Sequence, residues 1–247
     1  MDLGLRGRTA IVCGASAGIG LAIAEALSEE GAAVTMFARR RDPLEREAER
    51  LGALAVPGDV RNPGDLARLV EATIGTFGGV DILVNSSGGP PRGPAFDLAD
   101  DKIEDAVELL LLSVVRLTKL CLPYLRRSGR GRVINITSSS VREPIDGLAL
   151  SNTVRPGVIG WAQTLAREVG PDDITVNSIA PGRIDTERLA EVYPEGPSEH
   201  DLRGIPLRRL GRPREVADVV CMLASARASY VTGAVVPIDG GLTRSLL

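Results

Sequence analysis

Short apolar runs of strand length alternate with longer helical patterns along the whole chain. The runs are rich in Val and Ile and are bounded by Gly, Pro or Asp, which is typical of buried strands in a parallel sheet. They cover residues 9–13, 33–38, 53–56, 82–85, 133–137, 175–180 and 234–238. Regular alternation of strand and helix predicts helices on both faces of one parallel sheet. The expected fold class is therefore α/β, a doubly wound parallel sheet.

Helix signals lie between these runs. Asp42 and Asn62 each precede a proline, a pairing typical of a capping residue followed by the first helical position. Gly52 stands where the first of these helices should end. Residues 104–125 and 152–169 are apolar over a wide arc, so we expect them to be buried on more than one side.

Length and composition predict one domain, residues 1–247. The chain has 247 residues and is 44% hydrophobic, enough for one large core, and no linker-like stretch divides it. A net charge of -3 with scattered basic residues argues against a nucleic-acid partner. The longest apolar run, residues 109–112, is too short to cross a membrane. We expect a cytoplasmic protein.

Cysteine and histidine usage predicts no metal site. Cys13, Cys121 and Cys221 are far apart in apolar surroundings, and His200 is the single histidine. This pattern indicates buried free thiols in a reducing compartment and lacks the paired spacing of a zinc site.

A glycine-rich turn follows the first strand. Residues 14–20 read Gly-Ala-Ser-Ala-Gly-Ile-Gly and lead into a helix. Glycines allow a tight turn and close approach to a diphosphate, which the N–H groups of the helix N-terminus attract. The segment predicts a dinucleotide site. Its members are Gly14, Ser16, Gly18, Ile19 and Gly20.

Basic residues follow the second strand. A carboxylate there would bind the adenosine ribose, whereas arginine can pair with a 2′-phosphate. Arg39, with Arg40 behind it, therefore favours NADP, and NAD is the alternative.

Further motifs appear in a fixed order. They lie at residues 58–60, 80–85, 85–88 (a partial match), 181–186, 210–217 and 230–241. On these motifs the whole chain resembles a short-chain dehydrogenase/reductase, most closely the 3-oxoacyl-(acyl carrier protein) reductase branch. The resemblance implies a Rossmann-like fold, a carbonyl or alcohol substrate and a homotetramer or dimer. The tetramer would use residues 104–125 and 152–169 at one interface and the last strand at another. The cofactor contacts it adds are Asp59, Val60, Asn85, Gly88, Arg155, Pro181, Gly182, Ile184 and Thr186.

The catalytic positions of that family are altered in this chain. The family uses serine, tyrosine, a lysine four residues later, and asparagine. Here the resemblance places Ser138, Ser151, Arg155 and Leu110 at these positions. A serine hydroxyl is a far weaker acid than the tyrosine phenol, and arginine is a poor proton shuttle.

Three interpretations follow from these changes. Ser138, Ser151 and Arg155 could support reduction by positioning and oxyanion stabilisation, with water as the proton source. Tyr193 or His200, in a substrate lid over residues 187–205, could replace the missing tyrosine, although packing or solvent roles are favoured for both. The third interpretation is a non-catalytic relative that binds a dinucleotide as a sensor or assembly subunit.

Other polar residues near these positions receive minor roles. We expect Ser139 and Ser140 to satisfy backbone groups at a strand end, with one of them able to face the substrate. We favour solvated loop charges as the interpretation of Arg142, Glu143 and Asp146, which follow that strand. Arg92, in the earlier proline-rich loop, could attract an anionic substrate.

Overall fold

The computed structural model, which describes residues 1–190 and 195–245, contains one seven-stranded parallel sheet. The strands are β1 Thr9–Cys13, β2 Ala33–Ala38, β3 Leu54–Pro57, β4 Ile82–Asn85, β5 Arg132–Ile136, β6 Thr175–Pro181 and β7 Val235–Ile238. Their order in the sheet is β3–β2–β1–β4–β5–β6–β7. The five inner strands are largely buried, as the apolar runs predict, whereas the edge strands β3 and β7 are mostly half-buried. The predicted fold class is confirmed, with strand ends shifted by a residue or so in β3, β5, β6 and β7.

Helices cover both faces of this sheet. They are α1 Gly18–Glu29, α2 Arg41–Leu51, α3 Pro63–Phe77, α4 Asp100–Val107, α5 Ser113–Ser128, α6 Ala149–Val169, α7 Glu187–Ala190, α8 Glu199–Arg203 and α9 Pro213–Ala224. A π-helical turn, Glu108–Leu112, joins α4 to α5. In the described part of the chain, none of the helices is long and apolar enough to span a membrane.

Alternate residues of each strand supply two separate cores. Ala10 and Val12 of β1 point into the core beneath α1 and α9, whereas Ile11 and Cys13 belong to the core on the opposite face. This is the two-residue period of a strand buried on both faces. Both cores are rich in fully buried aliphatic side chains. The sheet is therefore held rigidly, and the loops that leave its carboxyl edge have fixed starting points.

The helix starts match one prediction and contradict another. The Asn62 side chain accepts a hydrogen bond from the Gly64 N–H at 2.9 Å and caps α3 as expected. Asp42 is not a cap, because α2 already begins at Arg41 after Arg40, which gives no side-chain cap. Pro43 lies in the first turn of α2. Backbone N–H groups there have no intrahelical acceptor, so the lack of an N–H on proline removes no hydrogen bond. Gly52 ends α2 in the left-handed conformation, as predicted.

The strand order creates a crevice. β1 lies between β2 and β4, so the chain reverses its direction of sheet growth at this point. In open parallel sheets, ligands bind outside the carboxyl ends of the strands at such a reversal. The turns and loops that carry many of the predicted site residues leave this edge, whereas Ser151 and Arg155 lie in helix α6.

Candidate functional site

The glycine turn after β1 is shaped by close backbone contacts. A Cβ on Gly14 would lie 2.7 Å from the Ser86 carbonyl oxygen, and the φ of Gly14 is +64°, in the left-handed region. A Cβ on Gly20 would lie 2.2 Å from the Gly14 carbonyl oxygen. Real Cβ atoms do not approach this closely, so both positions require glycine. The turn thus brings the start of α1 against the loop that follows β4.

The N-terminus of α1 can receive a phosphate. Its N-cap, Ala17, provides no side-chain hydrogen bond, and the first turn contains no acidic residue. The first N–H groups of α1 are therefore available to an external acceptor, and the helix dipole favours negative charge there. Together with the close-packed glycine turn, this end of α1 fits the diphosphate of a dinucleotide.

Charged residues after β2 and β3 lie where the adenosine end of such a ligand would bind. Arg39 is exposed at the end of β2 and lies close enough to contribute to lowering the pKa of Asp59. The larger cause of that lowered pKa is Arg61, whose guanidinium binds the Asp59 carboxylate at 2.7 Å. Arg61 also binds Asp105 at 2.7 Å, which the sequence did not indicate. Asp59 is thereby held in place as an ionised carboxylate.

Asn85 ends β4 and Gly88 lies in the loop after it, but the Asn85 side chain turns into the protein. Its amide nitrogen donates to Thr118 Oγ1 at 3.1 Å and to Asn135 Oδ1 at 2.9 Å, and the residue is buried. The Asn85 amide nitrogen is therefore occupied within the protein. Gly88 has a φ of +78° and presents its carbonyl oxygen to Arg155 at 2.5 Å.

The segment after β6 is fixed against two other C-terminal motifs. Ile184 forms an isolated bridge with Gly211, and the Asp185 N–H donates to the Gly211 carbonyl at 2.8 Å. A Cβ on Gly182 would lie 2.6 Å from Asp239 Cβ. Thr186 then places its methyl group 3.3 Å from the Cβ position of Gly18. The segment 181–186 thus lies against the glycine turn through Thr186.

Ser151 pairs with a serine that the sequence did not single out as its partner. Ser151 lies in α6 and Ser140 in the turn Ser139–Val141, and their hydroxyl oxygens are 3.0 Å apart with both residues buried. Ser138 is half-buried, and its Oγ accepts a hydrogen bond from the Ser140 N–H at 3.1 Å. The three serines therefore form one connected group at the end of β5. Ser140 was expected to satisfy backbone groups or to face the substrate, but its hydroxyl instead contacts Ser151.

Arg155 is a buried cation one helical turn after Ser151. Its Nη1 donates to the Ile136 carbonyl at 3.2 Å and its Nη2 to the Gly88 carbonyl. The residue is 7% exposed, and burial, followed by the charge of Arg188, lowers its pKa to about 10. It remains protonated at neutral pH. The guanidinium thus joins the ends of β4 and β5 and places a positive charge beside Ser151.

Leu110 lies within an apolar cluster. It is 2% exposed in the π-helical turn and packs with Ala106, Leu150 and Val154. The position that the resemblance gives to asparagine therefore holds a hydrocarbon side chain packed against other apolar residues. A water chain ordered by an amide at this position has no counterpart here.

The remaining predicted residues are two in the predicted lid segment, His200 and Tyr193, and the charged residues of two loops. His200 is exposed on α8, as its favoured solvent role predicts, and Tyr193 lies outside the described residues. Arg142 is not a solvated loop charge: it is half-buried, with Nη2 3.3 Å from the Val235 carbonyl, because the loop folds back toward β7. Glu143 accepts from the Arg244 N–H, and Arg92 donates to the Asp146 carbonyl at 3.3 Å.

Known proteins resemble this chain over its full length. The family model described as enoyl-(acyl carrier protein) reductase matches residues 14–243. The 3-oxoacyl-[acyl-carrier-protein] reductase FabG of Pseudomonas aeruginosa is 40% identical, over 98% of this chain and 100% of that protein. FabG of Vibrio cholerae is 36% identical, over 97% and 99%.

Solved structures agree with these sequences. L-sorbose reductase of Gluconobacter frateurii, complexed with NADPH and L-sorbose, superposes with a TM-score of 0.93 at 34% identity, and the match covers 100% of both chains. YwfH, an NADPH-dependent reductase involved in bacilysin biosynthesis, gives 0.92 at 26% identity, over 97% and 99%. The chain belongs to the short-chain dehydrogenase/reductase family of oxidoreductases.

Proposed function

We propose that the protein is an NADPH-dependent reductase that converts a small carbonyl compound to its alcohol, as 3-oxoacyl reductases do, with serine and arginine in place of tyrosine and lysine. The observation that carries this proposal is the polar group formed by Ser138, Ser140, Ser151 and Arg155 at the carboxyl edge of the sheet. This group lies beside a loop that also contacts the glycine turn. A substrate carbonyl and a dinucleotide can therefore meet there.

The cofactor assignment rests on the chain's own residues and on its relatives. Arg39 is exposed after β2, where it can pair with a 2′-phosphate. Two structural relatives are described as NADPH complexes or NADPH-dependent enzymes. The other residues proposed to hold the dinucleotide line the carboxyl edge. They are Gly14, Ser16, Gly18, Ile19, Gly20, Asp59, Val60, Asn85, Gly88, Arg155, Pro181, Gly182, Ile184 and Thr186.

NADPH, when bound, supplies the hydride. The protein then has to stabilise the negative charge that develops on the substrate oxygen. Hydroxyl donors of Ser138 and Ser151 can do so, and the Arg155 charge lowers the energy of an oxyanion nearby. The Ser140 contact restricts where the Ser151 hydroxyl can point. A serine hydroxyl is too weakly acidic to protonate the product by itself, so water is the proposed proton source.

The test is titration with NADPH and with NADH, followed by nicotinamide fluorescence and then by a screen of carbonyl substrates. Tight NADPH binding, weak NADH binding and turnover of at least one carbonyl compound are expected. Absence of binding by either nucleotide would overturn the oxidoreductase proposal.

A non-catalytic dinucleotide-binding role is the second candidate. The apolar cluster around Leu110 favours it, because the family's polar relay position is filled with hydrocarbon. A Ser151→Tyr/Arg155→Lys double variant separates the two candidates. If the wild type turns over a substrate that the variant does not, the serine–arginine pair is a specialised catalyst. If only the variant is active, the natural chain is a disarmed relative.

Three broader features complete the proposal. Residues 187–205, which include α7 and α8, act as a substrate lid. The chain assembles as a homotetramer, which exposed apolar side chains such as Leu120 on α5 and Tyr230 and Val231 before β7 support. A cytoplasmic location is supported by the buried, unpaired thiols of Cys13, Cys121 and Cys221. Light scattering after size-exclusion chromatography tests the assembly.

A further inference from the structure

In the described part of the chain, the Arg155 cation is held by backbone carbonyls and not by an acidic side chain. Its hydrogen bonds go to two backbone carbonyls, and its buried Nε has no partner in the described chain. No carboxylate of the described residues, 1–190 and 195–245, forms an ion pair with Arg155. A buried charge is costly unless it is paired, and carbonyl dipoles compensate it only in part. In the resembled family the cation at this position tunes a phenol, but Ser151 offers no phenol here.

A second arginine holds the same loop. Arg188 of α7 donates from Nη2 to the Pro90 carbonyl at 2.8 Å, and its guanidinium lies 3.5 Å from the Cβ position of Gly89. Arg155 binds the carbonyl of Gly88 in that loop. The charge of Arg188 also contributes to lowering the pKa of Arg155, as expected for two guanidiniums held at one loop. Two guanidiniums at one loop can donate to the oxygens of a single carboxylate.

We propose that the substrate is an oxo carboxylic acid whose carboxylate is bound by Arg155 together with Arg188. This inference rests on the proposed function and names its substrate class. Ser151 and Arg155 are four residues apart on α6, so their Cβ atoms are about 5–6 Å apart. A carbonyl at the serines and a carboxylate at Arg155 must therefore be close together in the molecule. That geometry favours 2-oxo and 3-oxo acids.

The cofactor's phosphates are the other possible source of the anion. The diphosphate, however, already has the uncapped N-terminus of α1, and a 2′-phosphate has Arg39. The arginine pair lies instead at the loop that Arg155 shares with the serine group. The carboxylate of the substrate is therefore the better match.

The test compares short- and medium-chain 2-oxo and 3-oxo acids with their methyl esters. Thermal unfolding is followed at saturating NADPH, because a ligand that binds the folded state raises the melting temperature without any turnover. Acids should stabilise the wild type and esters should not. Arg188→Gln should weaken acid binding about ten- to hundredfold, the loss expected for a hydrogen bond between charged groups. Arg46→Gln, an exposed arginine on α2 paired with Glu47, is the matched control and should change nothing.

Arg155→Lys and Arg155→Gln form the second arm. The lysine variant keeps the charge and should retain part of the acid selectivity, whereas the glutamine variant should lose it. If Arg155→Gln does not fold, the comparison of Arg188→Gln with the wild type still decides whether the arginines bind the substrate carboxylate. A panel in which no acid stabilises the protein more than its ester overturns the proposal. An equal loss of NADPH affinity and acid binding in Arg188→Gln also overturns it and assigns the arginines to the cofactor. If NADPH itself fails to bind wild type, the proposed function fails first, and acids tested without nucleotide then decide the carboxylate site.

Discussion

The hydroxyl oxygens of Ser140 and Ser151 lie 3.0 Å apart and connect the turn after β5 to helix α6. Both side chains are buried, so few alternative partners compete for this hydrogen bond. The family resemblance places Ser138 in the active site. Its Oγ accepts a hydrogen bond from the Ser140 N–H, which links Ser138 to the pair. Under the proposed function, Ser140 would position Ser151, which stands where the family has its tyrosine.

Replacement of Ser140 tests this role. Ser140→Ala should lower kcat about tenfold or more while the Kd for NADPH stays nearly constant, because one aligned donor near an oxyanion carries effects of that size. Ser140→Thr keeps a hydroxyl and should restore part of kcat. The buried neighbour variant Ser139→Ala is the control. In a double-mutant cycle, Ser140→Ala and Ser151→Ala should be non-additive, and simple additivity would argue against coupling.

The glycine turn should not tolerate a Cβ. Gly14→Ala combines a left-handed φ with a 2.7 Å contact to the Ser86 carbonyl, so we expect NADPH binding to weaken more than about tenfold. Gly75→Ala is the matched control, because its Cβ meets nothing within 4 Å on the exposed side of α3. That control should stabilise the protein by about 0.5–1 kcal/mol. Nucleotide titration and urea unfolding measure the two effects, and unchanged binding by Gly14→Ala would contradict the cofactor site.

Arg39 should determine the choice of cofactor. Arg39→Asp replaces a phosphate partner with a ribose partner, so the ratio of NADH to NADPH affinity should rise about tenfold or more. Arg41→Ala, an exposed arginine paired with Glu45 on α2, should leave the ratio unchanged. Direct titration of both nucleotides gives the ratio. A ratio that moves equally in both variants would indicate a general effect of surface charge.

Leu110 should resist replacement by the family's asparagine. Leu110→Asn places an amide in the cluster with Leu150 and Val154, and the lost packing and unsatisfied polar group should cost about 2–4 kcal/mol. Ile103→Asn on α4, which is 36% exposed, should stay within about 0.5 kcal/mol of wild type. Urea unfolding measures both values. A stable Leu110→Asn protein would show that water can enter this cluster.

The Glu215 carboxylate should make stability depend on pH in the acid range. Hydrogen bonds from the Arg209 guanidinium and from the Arg212 N–H lower the pKa of Glu215 from 4.5 to about 2. This lowered pKa adds stability that is fully present above pH 4.5 and is lost as the pH falls toward 2. Glu215→Gln should therefore lower the melting temperature at neutral pH and converge with wild type near pH 2. Arg209→Ala should give the same profile, and a deficit that persists at every pH would assign the effect to packing.

The strands, the doubly wound parallel class of the sheet and the glycine turn could be predicted from the sequence because each depends on local patterns. The apolar run of β1 is buried on both faces, and Gly14 adopts the left-handed φ that a tight turn requires. Asn62 caps α3 with its own side chain. The Asp42 prediction was wrong because a proline in the first turn fits at more than one position, and only the path of the chain after β2 selects among them.

The arrangement of the serine–arginine group could not be predicted from the sequence, because it depends on contacts between elements that are distant in sequence. Nothing in the serine run at 138–140 indicates which hydroxyl meets Ser151, because the turn after β5 decides which side chain faces α6. The sequence shows that Arg155 brings a positive charge. It does not show its two carbonyl partners, which lie at the end of β5 and in the loop after β4. Residue type and spacing determine which groups a chain can offer. Close packing around a rigid sheet decides which of them meet, because each buried side chain is limited to the rotamers and partners that its neighbours leave open.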